Sequence, residues 1–250
     1  MNDNIEHILK NWPYDPDDDL TVRIIDFGDS QKLQMRIDMG VIQMELDGNP
    51  TGEKPENEES WFEYYMKRKK QIEKNQVNDF FSLNEDDCKK LRREAVQYYY
   101  RYLCLMKLGD YRRVIRDTYR NLRLFAFIKK YASSEMDRWA LDQYRPYVIM
   151  MNTRARASLA IKNNPKSGMV KSLDYINRGI GKIVKFYEEY GIASEMENSL
   201  ELSVLKALKE EFLLDLPLSL EEQLQKAVKE ERFEDAAILR DKIQLRYKNN

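Results

Sequence analysis

Side-chain chemistry needs nucleophiles, metal ligands or acid–base pairs at workable spacing, and this chain supplies few. His7 is its only histidine, and Cys88 and Cys104 are its only cysteines. That inventory supports neither a zinc cluster nor a disulfide framework. Both cysteines read as ordinary helix residues in a reducing compartment, and His7 as a surface residue. The carboxylate runs Asp17-Asp18-Asp19 and Glu85-Asp86-Asp87 lack the spacing of a calcium loop. The first reads as a turn, the second as a partner for the positive end of a helix. No GxGxxG, P-loop, GxSxG or HExxH string occurs. The expectation is no catalytic residue, no metal, no cofactor and no enzymatic activity.

One charged pattern does carry a functional reading. On a helix over 111–126, Arg113, Arg116, Arg120 and Arg123 recur at i, i+3, i+7 and i+10, with Arg112 beside them. Tyr111, Val114, Ile115, Thr118, Leu122 and Phe125 span the other arc. Such a line suits nucleic-acid phosphates, an acidic partner, or plain solvation. Arg154 and Arg156, near Tyr144 and Tyr147, would extend it. The charge is unevenly spread: residues 1–60 carry a net of −10 and residues 89–162 a net of +12. An acidic head and a basic middle suit docking on each other or on an acidic partner, and a pI near 6.1 argues against a dedicated nucleic-acid binder. In the run Tyr98-Tyr99-Tyr100 with Tyr102, consecutive residues point around the whole helix, so most are expected to pack between helices.

The elements that position these residues can be read along the chain. A short helix over 2–10 stops at Trp12-Pro13. Val22–Asp26 and Lys32–Met39 flank the turn Phe27-Gly28-Asp29-Ser30, with Leu33, Met35, Ile37 and Met39 facing inward and Gln34, Arg36 and Asp38 facing water. At Gly40 the parity changes to Ile42, Met44 and Leu46, as a bulge or bend would require. Asp47–Glu59 reads as a solvated linker. Helices follow: one capped by Ser60-x-x-Glu63, one from Asn84 to Leu108 closed by Gly109, then 112–131, 136–161 opened by Ser134-x-x-Asp137, 170–189, and 195–213 opened by Ser194-x-x-Glu197. Beyond Pro217, Ser219 and Glu222 form a capping-box pattern, and Leu220, Leu224, Ala227 and Val228 fall on one helix face. A second short helix offers Ala236, Leu239 and Ile243, with Ala237 small enough for close approach. No run approaches the roughly 18 apolar residues of a membrane span and no leader pattern opens the chain, so a soluble, cytoplasmic protein is expected.

Three stretches resemble known families. Residues 220–244, through Leu220, Glu221, Leu224, Ala227, Glu231, Phe233, Glu234, Ala236, Ala237, Leu239, Arg240, Asp241 and Ile243, resemble a UVR motif. That motif is the helical hairpin of the excision-repair proteins UvrB and UvrC, carried also by Clp-family chaperones and by the activator of a bacterial protein-arginine kinase. The resemblance implies protein docking without catalysis. Glu94–Ala132 resembles a tetratricopeptide (TPR) hairpin through Ala95, Tyr99, Leu103, Leu105, Leu108-Gly109-Asp110-Tyr111 and Val114. Asp117 departs from that pattern by standing where a small Ala is expected, and no 34-residue period recurs. Leu33–Gly48 resembles the leader of a group of uncharacterised bacterial UVR-motif proteins.

The resulting expectation is a mainly α protein: a small antiparallel β unit with an acidic linker over 1–59, a TPR-like α-helical body over 60–216, and a UVR hairpin over 217–250. A bacterial adaptor would bind a protein partner through Leu224, Val228, Phe233, Ala237, Leu239, Arg240 and Ile243, and through the groove of the helical body. Phe233 would anchor the turn, and Arg240 would pair with an acidic group on the partner or the facing helix. Homodimerisation through the hairpin is a further reading. The alternative is a DNA-binding accessory of nucleotide excision repair that uses the arginine face.

Overall fold

A computed structural model describes residues 4–18, 20–74, 80–214 and 220–248. The chain forms two compact units, Met1–Lys206 and Ala207–Asn250. In the first, α1 (Glu6–Asn11) precedes a three-stranded antiparallel sheet of β1 (Val22–Phe27), β2 (Ser30–Ile37) and β3 (Gly40–Glu45), in that order. Six helices follow: α2 (Trp61–Lys74), α3 (Glu85–Lys107), α4 (Tyr111–Tyr131), α5 (Glu135–Asp142), α6 (Arg145–Asn163) and α7 (Pro165–Glu189). α8 (Leu200–Leu214) crosses the boundary, and α9 (Leu220–Lys229) and α10 (Phe233–Lys248) complete the second unit.

The helix ends follow local chemistry. Asn84 and Asp87 form a reciprocal capping box at the start of α3. At its end Gly109 adopts φ +70°, Gly109 N–H donates to the Met106 carbonyl and Asp110 N–H to the Leu105 carbonyl, which is the Schellman pattern. The Asp110 carboxylate then accepts from Arg113 N–H and opens α4. The α2 start combines the Ser60 hydroxyl, which accepts from Glu63 N–H, with the buried carboxylate of Glu94, which accepts from Trp61 N–H (2.6 Å) and Phe62 N–H (3.2 Å).

Several boundaries differ from those expected, each for a physical reason. The helix expected over 136–161 is two, α5 and α6, because Pro146 has no N–H to give residue 142 and sits in the first turn of a new helix. The 195–213 helix starts at Leu200, where the Ser199 hydroxyl accepts from Leu202 N–H; Ser194 lies in a 3₁₀ turn. Gly40 marks no bulge: Ile37 pairs with Gly40 across a two-residue turn, so the parity change is a second hairpin. Ile37 and Met39 are exposed rather than buried, whereas Gln34 and Arg36 are buried. Gln34 accepts from Arg23 and donates to Gln43, and Arg36 donates to the Trp12, Asp38 and Gly40 carbonyls. The second sheet face is therefore covered by the Trp12 segment, with Arg23 stacked on the Trp12 ring at 4.0 Å. Pro217 and Ser219 lie outside the described residues.

The linker is also more ordered than its composition suggests, because Asp47–Pro50 docks on the helices. Arg101, fully buried on α3, donates to the Asp117 carboxylate of α4 at 2.7 and 2.9 Å and to the carbonyls of Glu45 (3.1 Å) and Gly48 (2.8 Å). Asp117 is the buried counter-ion of Arg101. Behind this pair lies a core of Phe62, Tyr65, Leu91, Ala95, Leu124, Phe125 and Ile128. α6 and α7 approach closely, since a Cβ on Gly168 would sit 2.2 Å from the Ala160 carbonyl oxygen and one on Gly179 would sit 2.3 Å from the Thr153 hydroxyl. Replacing Arg101 by Leu leaves the buried Asp117 carboxylate with Arg116 as its remaining cation and is expected to cost about 3 kcal/mol by urea denaturation. The same change should open 49–59 to limited proteolysis, whereas Arg101→Leu with Asp117→Leu should recover much of the loss.

Candidate interaction hairpin and arginine face

In the second unit α9 and α10 pack antiparallel on each other. α9 ends in another Schellman closure: Arg232 N–H donates to the Ala227 carbonyl and Glu231 N–H to the Val228 carbonyl, with Glu231 at φ +58°. A side chain in that left-handed region costs roughly 1 kcal/mol, and the residue is glutamate rather than glycine. Arg232 pairs with Glu230 and Asp235 across the turn. α10 then begins at Phe233, with the Arg232 carbonyl accepting from Ala236 N–H.

The residues expected to act in docking divide into two sets. Ala227 and Ala236 are buried, and Leu224, Leu239 and Ile243 are half-buried. Spacing of i, i+3 and i+7 puts Ala236, Leu239 and Ile243 on one stripe of α10, which makes the seam. Ala236 therefore provides the close approach, and Ala237 is exposed. Phe233 does not anchor the turn: it is 67 % exposed, and Val228 is 49 % exposed. Phe233, Ala237 and Arg240 fall at i, i+4 and i+7, a line beside the seam, and Leu224 with Val228 makes the matching line on α9. For antiparallel helices both lines lie to the same side, so one face of the hairpin carries apolar groups with a guanidinium among them. Arg240 pairs with its neighbour Asp241 at 3.0 Å. Ile238, also exposed, lies on the opposite side of α10 among Glu234 and Asp241.

The arginine face of α4 is largely engaged within the first unit. Arg113 binds Asp47 (2.8 Å) and Asp110 (2.8 Å), and Arg116 binds Asp47, the Leu46 carbonyl and Asp117. Arg120 pairs with buried Glu94 and lies 3.9 Å over the Tyr98 ring. Arg123 rests over Phe62 and donates to the Met66 sulfur. The acidic head meets the basic middle at Asp47 and, through Lys107, at Asp18. Hydrogen bonds from Arg113 hold the Asp47 carboxyl well below the usual carboxylate range. Its contribution to stability is present above the ordinary carboxylate pKa and is lost only as the pH falls through the lower folded value. Sequence reasoning missed Asp47 and Arg101; the available signal was a lone arginine inside the apolar stripe of Tyr98, Tyr102 and Leu105, opposite an aspartate in place of a small residue.

The cysteines and part of the tyrosine run are placed in packing, while His7 is exposed. Cys88 and Cys104 are buried, and burial pushes their thiols up to about 11 and about 12, so both stay protonated at neutral pH. Tyr98 and Tyr102 are core residues, while Tyr100 is exposed. Among the described residues no group of three His, Cys, Asp or Glu side chains could hold a metal ion, and no helix is long and apolar enough to cross a membrane.

The family model described as the UvrB/uvrC motif matches residues 219–245, which are the α9–α10 hairpin. No curated protein and no solved structure matches the chain. The partition within the hairpin gives a direct check by far-ultraviolet circular dichroism. Leu239→Asp, in the seam, should remove the helical signal of the terminal hairpin, whereas Phe233→Asp should leave helix content unchanged.

Proposed function

We propose that the chain is a non-enzymatic adaptor that docks a protein partner through its C-terminal UVR hairpin. The single observation that carries this reading is the match of residues 219–245 to the UvrB/uvrC motif, on a hairpin that leaves Phe233 and Val228 exposed. Two helices of this size are below the roughly 40 residues that usually fold alone, and a large aromatic left in water beside a valine and an alanine is what an interface anchor looks like before its partner arrives. Val228, Phe233, Ala237 and Arg240 would touch the partner, while Leu224, Leu239 and Ile243 would hold the two helices in register for it. The first unit, TPR-like in its Leu108–Tyr111 turn, would be the cargo or second arm of a cytoplasmic adaptor in excision-repair or protein quality-control machinery.

The engagement of Arg113, Arg116 and Arg120 by Asp47, Asp110, Asp117 and Glu94 supports a protein partner over DNA. Guanidiniums already paired release few counterions, and the steep salt dependence of phosphate tracking needs several unpaired cations in line. Full-length protein is expected to leave a duplex DNA probe unshifted even at low salt.

The test is affinity capture on immobilised full-length protein, with captured proteins identified by mass spectrometry. Phe233→Asp with Val228→Asp should reduce capture of the specific partner at least tenfold at unchanged helix content. An undiminished capture by this double variant would remove the hairpin from the interface.

A further inference from the structure

α3 and α6 both pack on α4 and part from each other along most of their length, leaving a cleft of about 450 Å³. Val96 and Tyr99 of α3 form one wall, and Leu141 of α5 with Tyr144, Tyr147 and Val148 forms the other; Phe125 and Asn121 of α4 make the floor. The Tyr99 and Tyr147 rings meet at a centroid distance of 6.1 Å and join the two walls. Val96 and Tyr144 are exposed at the mouth. None of these residues belongs to the hairpin, and their order in the sequence points only to helix packing or a general helical groove.

The lining limits what can enter. Among the described residues no Lys, Arg, His, Asp or Glu lines the cleft, so a charged group inside would lose its hydration with no counter-ion in the lining to replace it, at a cost of several kcal/mol. The floor amide is already satisfied: Asn121 donates to the Ala95 carbonyl at 2.9 Å and accepts from Arg120 at 3.2 Å. An extended peptide would bring backbone N–H and C=O groups that find few partners there. What the lining does offer is aromatic faces and the hydroxyls of Tyr99 and Tyr144. Burial pushes the Tyr147 phenol up to about 12, and its hydroxyl is already engaged with Tyr99. The volume falls within the range typical of small-molecule pockets, roughly 300–1,000 Å³.

We infer that the cleft between α3 and α6 is a binding site for a neutral, ring-bearing small molecule, held by offset stacking on tyrosines and by one or two hydroxyl or carbonyl groups paired with their phenols. Flat rings suit the Tyr99, Tyr144 and Tyr147 faces, since offset and edge-to-face contacts are favourable beyond the area they bury. This site is independent of the hairpin and would give the adaptor a ligand-dependent body.

The experiment uses full-length protein and two fluorescent probes of similar size, uncharged N-phenyl-1-naphthylamine and anionic 8-anilinonaphthalene-1-sulfonate. The neutral probe should bind saturably at one equivalent and at least tenfold more tightly than the anionic one. Val96→Trp, which fills the mouth from an exposed position, should weaken it at least tenfold with the melting temperature unchanged. Tyr144→Ala, at an exposed position where folding is least at stake, should weaken it severalfold. Tighter binding of the anion, more than one equivalent, or affinity unaltered in both variants would overturn the assignment. So would a halving of the solution mass by Val96→Trp, which would put a second copy of this chain in the cleft.

Discussion

Arg101 gives four hydrogen bonds from a fully buried guanidinium: two to Asp117 and one each to the carbonyls of Glu45 and Gly48. The first two tie α3 to α4, and the other two tie both helices to the chain leaving β3. A buried ion pair of this kind adds little net stability over a well-packed apolar pair, because both charges lose their hydration. It adds direction, since a bidentate fork donates to one carboxylate geometry and the remaining N–H groups donate only to carbonyls placed in reach. The position of the sheet on the helical body therefore depends on Arg101, and the neighbouring contacts reinforce it. Tyr98 donates to the Gly48 carbonyl, and Arg113 and Arg116 close on Asp47.

This arrangement accounts for the uneven charge of the chain. The acidic head and the basic middle meet where Asp47 takes Arg113 and Arg116 of α4 and Asp18 takes Lys107 of α3. The hairpin stands in contrast. Among its described residues the buried ones are alanines, and Phe233 lies in water. One unit spends its polar groups on its own packing, and the other leaves apolar groups for something else. The cleft between α3 and α6 arises from the same helical packing, because two helices resting on a third need not touch each other.

Much of this was legible wherever a feature is set by neighbours in sequence. Asn84, Gly109 and Asp110 announced the bounds of α3 and α4 through caps, and the string Phe233–Ile243 announced the hairpin. Features set by long-range contact were not. Gln34 and Arg36 look like the wet side of a strand, and only the Trp12 segment folding over them makes them buried. Asp47 looks like linker, and only α4, more than sixty residues later, makes it a counter-ion. Ala236 and Ala237 are chemically identical, so which one faces α9 depends on where the helix starts, a matter of one residue. Phe233 was expected to anchor the turn; it is exposed, and the turn carries a backbone closure and the Arg232 ion pairs.

A partner that docks on the hairpin should leave the first unit as it is. Hydrogen–deuterium exchange on full-length protein, alone and saturated with its captured partner, tests this most directly. Protection on binding confined to peptides covering 220–244, with α3 and α4 unchanged, is the predicted result. Protection over 85–131 with none in the hairpin would contradict it and would make the helical body the interaction surface.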